Sequence, residues 1–249
     1  MKKYNKIGQH RISTLSLLEH TKIILDKIDS AEGFWVVTFN LEMLARGLKN
    51  EEYNSIVKSA DITIADGVPL LWHSKMSGYP IAGRSNGTDL VESIFKSDKP
   101  LKIGIIGGCN NIERTKKVNI IHQIVFSIEG EITSSEQNLE EFDRVISKSN
   151  VNIIFVALGV PKQDQVCKLI REKHNVVVVG VGGALDLLSG EKNRAPIFMQ
   201  RHGLEWLHRL LNEPSRLWRR YVLLYPIAIP YLLKSAMCNS LYRRRGINR

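Results

Sequence analysis

The chain has 249 residues, 43% of them hydrophobic, with 18 glycines and 8 prolines. That composition excludes an intrinsically disordered chain, and the length suits one large domain with an appendage or two small domains. The net charge of +10 is uneven: from Pro196 onward ten Lys/Arg face two acids, Glu205 and Glu213, so this tail carries +8 and residues 1–195 only +2. A basic tail on a near-neutral body points to an anionic partner: nucleic acid, an anionic lipid surface or a phosphorylated ligand. Cys109, Cys167 and Cys238 are odd in number and form no C-x-x-C pair, which fits a reducing compartment. The opening MKKYNKIGQHRIST lacks the apolar core of a signal peptide. No run reaches about 18 apolar residues, so no spanning helix is expected.

In chain order, Ser13 to Ile28 has apolar residues at helical spacing, with Ser13 or Thr14 as its cap. FWVVTFN (34–40) reads as a buried strand, and the segment from Leu41 to Ala60 as one or two helices. DITIADG is a short strand running into a turn at Asp66-Gly67. Residues 78–90 form a loop in which Thr88 or Asp89 opens the helix LVESIFKS. LKIGIIGG (101–108) is a strand ending in two glycines. NIERTKKVNIIHQIV (111–125) is a helix, FSIEGEI a strand and NLEEFDRVISKS a helix. VNIIFVALG (151–159) is a strand, followed by a helix with Pro161 near its first turn, where the missing N–H does no harm. NVVVVGVGGALDLLSG is a strand, a glycine turn and a short helix. The tail has helical segments interrupted by Pro214, Pro226 and Pro230.

Alternating helices and continuous apolar strands predict an α/β, Rossmann-like, mostly parallel sheet covered on both faces. Residues 1–195 are the expected core and 196–249 a helical, aromatic-rich appendage. Ligands in open sheets sit beyond the carboxyl ends of the strands. Those ends carry Thr38 and Asn40, Asp66 and Gly67, Gly107 and Gly108, Gly159 to Gln163, and Gly182 and Gly183.

Asp66 can take a proton from a hydroxyl as a general base, or simply close its own turn as an Asx residue. Thr38 and Asn40 can hydrogen-bond a ligand or finish the strand. Arg84 can hold an anion; Asp89 binds a ligand or only caps its helix. Lys162 and Gln163 stand at a helix start that favours an anion. Asp186 is a ligand contact or a helix-start residue. Neither glycine cluster has the G-x-G-x-x-G spacing of a dinucleotide fingerprint, so no nicotinamide cofactor is expected. Backbone at Gly108, Gly159, Gly182 and Gly183 can still approach a phosphate or sugar closely. Arg194, Arg201, Arg209, Arg216, Arg219 and Arg220 form a basic set suited to phosphate oxygens, or a solvated charged face. There is no D-x-D motif and no His/Cys cluster at metal spacing, so no metal is expected.

Taken together, TFN (38–40), ADG (65–67), GTDL (87–90), LGVPKQD (158–164), VGVGGALDLLSGEKNRAP (179–196) and GLEWLHRLLNEPSRLWRRY (203–221) resemble the WecG/TagA/CpsF glycosyltransferases. The resemblance runs in order along nearly the whole chain. Two positions depart from the family pattern: Ala65 replaces a proline, and Asp164 a glutamate. The resemblance implies an inverting enzyme that moves a sugar from a UDP-sugar to an undecaprenyl-diphosphate-linked sugar, for cell-surface polysaccharide, at the cytoplasmic face of the bacterial inner membrane. The sugar is N-acetylmannosamine, its uronic acid or glucose. By the same resemblance Asp66 is the base, and Thr38, Asn40 and Gln163 serve the reaction. Arg209, Arg216 and Arg220 hold the nucleotide diphosphate. Arg84, Asp89, Gly108, Gly159, Lys162, Gly182, Gly183, Asp186 and Arg194 are the further substrate-binding candidates. The expected partners are the donor, the lipid-linked acceptor, an anionic membrane surface and a possible second copy of the chain, but no nucleic acid. The competing reading is a basic nucleic-acid- or phospholipid-binding module without catalysis.

RLWRRYVLLYPIAIPYLL (216–233) carries the tail's question. Its uncharged part, Tyr221 to Leu233, would reach only about 20 Å as a helix, against a hydrocarbon core of about 30 Å. It is therefore expected to lie on a membrane, with Trp218, Tyr221 and Tyr225 at headgroup level and YRRR (242–245) adding attraction.

Overall fold

The computed structural model describes residues 4–83, 85–108, 121–129, 136–190 and 192–245. Among them, eight strands form one sheet: β1 Tyr4–Ile7, β2 His10–Ser13, β3 Phe34–Phe39, β4 Ile62–Ala65, β5 Lys102–Gly107, β6 Gln123–Ile128, β7 Ile153–Ala157 and β8 Val177–Gly180. Their order is β1-β2-β4-β3-β8-β7-β5-β6, with β1 and β2 antiparallel and the other pairs parallel. The helices flanking the sheet are α1 Leu17–Ser30, α2 Leu41–Lys49, α3 Glu51–Lys58, α4 Val68–Met76, α5 Gly87–Phe95, α6 Glu136–Lys148, α7 Lys162–Lys173 and α8 Ala184–Leu188. The chain ends in α9 Ile197–Arg201, α10 Glu205–Asn212, α11 Pro214–Arg219, a π-helical turn Arg220–Leu224, and α12 Tyr225–Arg244. The fold is the expected mostly parallel sheet between helices, with a long apolar helix at the C-terminal end.

Strand residues alternate between two cores. On β3, Trp35, Val37 and Phe39 face the core built with α2, α3, α7 and α12, while Val36 faces the core built with α1, α5 and α8. On β8, Val178 faces the first core, and Val177 and Val179 the second. Both faces are covered, so the strands must be apolar throughout, and each fully buried side chain contributes roughly 1.5–3 kcal/mol.

Several boundaries differ from the expectation. The N-terminal hairpin of β1 and β2 had no place in the sequence reading; it extends the sheet edge through β2 and β4. Ser13 therefore closes a strand, and α1 is capped by Ser16 in a reciprocal capping box with Glu19. Helix α5 is capped by Asn86, whose Oδ1 accepts from the Asp89 N–H at 2.7 Å; neither Thr88 nor Asp89 is the cap. Strand β6 begins at Gln123, where the sequence reading carried a helix on to residue 125; most of that helix lies outside the described residues, as do Arg84 and Cys109.

The largest difference is in the tail. The break expected at Pro214 is present: α10 ends at Asn212, and Glu213 leaves the helical conformation (φ −131°, ψ 57°) before Pro214 opens α11. Pro226 and Pro230 do not interrupt the helix that follows. Pro214–Arg243 is one helical run of 30 residues, long and apolar enough by length and composition to cross a membrane, at about 45 Å. Tertiary packing outweighs the lost backbone bond at Pro230. Ala228, Leu232 and Ala236, at four-residue spacing, are buried, and α12 packs on α2 and α4. A polar seam fastens the helix further. His73 of α4 bridges Asn5 Nδ2 (3.5 Å, to Nδ1) and Ser235 Oγ (3.2 Å, at Nε2). Asn239 donates to the Lys6 carbonyl at 2.6 Å, and Arg243 to the Gly78 carbonyl at 2.6 Å.

Burial lowers the pKa of His10, His20 and His73 from 6.5 to about 4. A depressed folded-state value means these groups favour the folded state above pH 6.5, and that contribution is lost as pH falls toward 4. Thermal melts across this window should show a falling Tm, and His73→Gln should lose less over the same window than the unsubstituted chain. A parallel fall in both would remove His73 from the acid response.

Candidate active site

A cleft of about 780 Å³ opens at the carboxyl ends of β4, β3, β8, β7 and β5, a size suited to a small-molecule ligand. Its floor includes Thr38, Asn40, Asp66, Gly108, Gly159, Gln163, Gly182, Gly183 and Asp186, nine of the residues expected from the sequence. Thr38 is buried and donates its hydroxyl to the Gly180 carbonyl at 2.9 Å, which ties β3 to β8. Asn40 caps α2: its Oδ1 accepts from the Glu42 and Met43 N–H groups at 3.0 and 3.1 Å. That leaves the amide Nδ2 as the group able to donate to a ligand. Asp66 follows β4 directly, and its N–H donates to the Phe39 carbonyl at 2.7 Å. Gly67, at φ +108°, then turns the chain into α4, a conformation that L side chains rarely adopt. The carboxylate of Asp66 is half-buried at the cleft wall, where it can exchange a proton with a bound hydroxyl.

Gln163, in the first turn of α7, is buried beneath the glycine turn. Its Oε1 accepts from the Gly182 N–H at 2.7 Å. A Cβ on Gly180 would stand 2.5 Å from Gln163 Nε2, so only glycine lets this side chain lie across the strand end. The next residue, Asp164, points into the interior and accepts from Tyr53 Oη at 2.6 Å. Burial, partly offset by the Tyr53 and Gln163 hydrogen bonds, pushes its carboxyl up to about 7. Asp164 thus couples α7 to α3.

The opposite wall comes from the C-terminal helices: His208, Arg209, Asn212, Glu213, Arg216, Leu217 and Arg220. The three arginines expected to bind the diphosphate therefore face the same cleft as Asp66. Arg220 opens the π-helical turn, a helix irregularity often found at functional sites. It pairs with Glu42 at 3.2 Å and donates Nε to Tyr225 Oη at 3.2 Å. Burial works against the Arg220 charge, but Tyr225 and Glu42 outweigh it and the net shift is upward. Arg216 pairs with Glu213, and Lys192 bridges Asp186 at 2.9 Å and Glu213 at 3.3 Å.

Not every expected residue meets there. Asp89 and Arg194 pair with each other, and Arg194 also lies 3.6 Å from Glu92 and 3.8 Å from Glu205; this cluster joins α5 to α10 and does not line the cleft. Lys162 heads α7 outside the lining residues. The Arg84 assignment falls outside the described residues. Glu42, Lys192, Asn193, His208, Asn212 and Glu213 also line the cleft and are not among the residues expected from the sequence. All but Glu42 lie inside the motif blocks that carried the resemblance, which was their one available signal. Among the described residues, no group of three or more His, Cys, Asp or Glu is arranged to hold a metal ion.

Sheet, cleft and cationic wall form a candidate active site between the strand ends and a C-terminal helical segment. Residues 5–241 match the profile of the glycosyl transferase WecG/TagA/CpsF family. An N-acetylglucosaminyldiphosphoundecaprenol N-acetyl-beta-D-mannosaminyltransferase of Bacillus spizizenii is 33% identical over 201 residues, covering 78% of this chain and 76% of its own length. The chain belongs to the WecG/TagA/CpsF family and is a glycosyltransferase.

Gly180→Ala should drive Gln163 off the glycine turn. Overpacking of this kind costs about 1–3 kcal/mol, and displacement near the site should lower glycosyl-transfer turnover roughly tenfold or more. Melting curves with steady-state rates test this; unchanged turnover would show that the Gln163–Gly182 contact is dispensable.

Proposed function

We propose that this enzyme transfers a sugar from a UDP-sugar to a polyprenyl-diphosphate-linked sugar with inversion at the anomeric carbon. The observation that carries the reading is the meeting of one carboxylate, Asp66, and three arginines, Arg209, Arg216 and Arg220, across a single cleft. The acceptor hydroxyl lies at Asp66. As its oxygen bonds to the anomeric carbon, Asp66 takes its proton and the bond to the diphosphate breaks. Negative charge collects on the departing UDP, where the arginines stabilise it. Asn40 Nδ2 orients the sugar. Gln163 acts by holding the glycine turn at 182–183, where backbone approaches the donor. The activity of the Bacillus relative favours N-acetylmannosamine over its uronic acid or glucose, and an N-acetylglucosaminyl-diphosphoundecaprenol acceptor.

In this reading residues 1–195 supply the base and residues 196–249 the diphosphate grip and the membrane contact. Helix α12 exposes Ile229, Leu233, Met237 and Leu241 on the side away from buried Ala228, Leu232 and Ala236. One face is taken by the protein, so the helix lies along a membrane surface with its outer face in the interface. Lys234, Arg243 and Arg245 favour an anionic leaflet. A UDP-sugar donor and a lipid-linked acceptor together favour the cytoplasmic face of the inner membrane as the place where the enzyme works.

Asp66→Asn should keep its Tm and its affinity for UDP while kcat falls about 10²–10⁴-fold, the usual worth of a general base. Near-normal turnover would remove Asp66 from that role. Arginines in place of a bridging cation also predict full turnover in EDTA. Activity lost to chelation and restored by a divalent ion would overturn the metal-independent mechanism.

A further inference from the structure

Glu42 belongs to none of the sequence motifs, yet it stands where α2, the cleft and the C-terminal segment meet. Its backbone N–H is held by Asn40, the cap of α2. Its carboxylate is only 14% exposed and is shared between two arginines. Arg46, one turn along the same helix, takes Oε1 with both Nε at 2.9 Å and Nη2 at 2.8 Å. That two-point contact fixes the carboxylate, and its other oxygen, Oε2, meets Arg220 Nη1 at 3.2 Å. On the far side, Arg220 Nε donates to Tyr225 Oη at 3.2 Å, and the guanidinium lies 5.7 Å from the Tyr225 ring centre. A guanidinium has five N–H donors. These contacts occupy two of them, so Arg220 is oriented with donors to spare. The three charges of Arg46, Glu42 and Arg220 sum to +1, so the cluster still attracts an anion.

We propose that Glu42 is a positioning residue for glycosyl transfer: clamped by Arg46, it sets the Arg220 guanidinium against the cleft, where Arg220 meets the diphosphate of the donor. The inference rests on the donor reading above. Glu42 touches neither sugar nor diphosphate; it acts through Arg220. A carboxylate suits this task because it binds two guanidinium groups at once, and a neutral amide cannot accept equally from both. The link also gives the C-terminal segment a fixed register against the strand end that carries Asn40. Charge on the diphosphate grows as the sugar departs, so misaiming Arg220 weakens the transition state more than the bound donor.

The test is a double-mutant cycle on the full chain, with kcat, KM for the UDP-sugar and Tm measured for each variant. Glu42→Gln should lower kcat about tenfold and change KM by less than about threefold. Arg220→Gln should lower kcat by about 10²-fold. Adding Glu42→Gln to Arg220→Gln should lower kcat no further, because a residue acting only through another has nothing left to act through. An equal fall in both backgrounds, or a normal kcat in Glu42→Gln, overturns the role. Should Glu42→Gln fail to fold, Arg46→Gln loosens the clamp while keeping Glu42 and Arg220. A lowered kcat at constant KM then supports the inference, and full activity overturns it. The unsubstituted chain is the control. If it transfers no UDP-sugar, the donor reading fails and takes the inference with it; if it does and the cycle is additive, the Glu42 role alone fails.

Discussion

The docking of α12 on α2 and α4 is the contact on which the cleft depends. A sheet with helices on both faces makes only half a cleft: strand ends, loops and the Asp66 carboxylate. The cationic half arrives from the other end of the chain, and it is in place because Ala228, Leu232 and Ala236 pack against the core helices. Small residues at four-residue spacing let the helix come close. The hydrogen bonds of His73, Asn239 and Arg243 then fix its register. Apolar contact alone is non-directional and tolerates sliding, whereas paired polar groups do not. The position of Arg220 relative to Asp66 follows from that register and from the π-helical turn.

Several side chains at the strand ends serve fold and site together. Asn40 spends its oxygen on the helix cap and leaves its amide at the cleft. Thr38 ties β3 to β8 with its hydroxyl. Gln163 supports the glycine turn from below, and Gly180 is small so that it can. At Thr38 and Asn40 ligand contact and structural closure are alternatives by sequence alone. The geometry shows closure at both, and it leaves Asn40 with an unused donor. Buried polar groups must find partners, so residues at strand ends tend to carry both duties.

Charge pairing follows the same logic. Arg216 with Glu213, Lys192 between Asp186 and Glu213, and Arg220 with Glu42 give the cleft wall its cations without leaving them uncompensated. Arg194 looked like a ligand contact in the sequence and is instead the centre of an acidic cluster joining α5 to α10. Nothing local distinguishes the two cases, since both are arginines within the motif blocks.

The sequence by itself determined the parallel sheet and the strand ends that line the cleft, because continuous apolar runs and glycine turns are local patterns. The motif blocks carried the family. It did not reveal the N-terminal hairpin, whose short strands gain their stability from β4 and α12. It misread Pro226 and Pro230 as breaks, because the packing that holds α12 straight through them comes from residues far away in the chain. Glu42 carried no signal of a role at the cleft: an acid in the first turn of a helix, paired with an arginine one turn on, is ordinary. Its i, i+4 pairing with Arg46 is local, but only the tertiary structure brings Arg220 to its other oxygen.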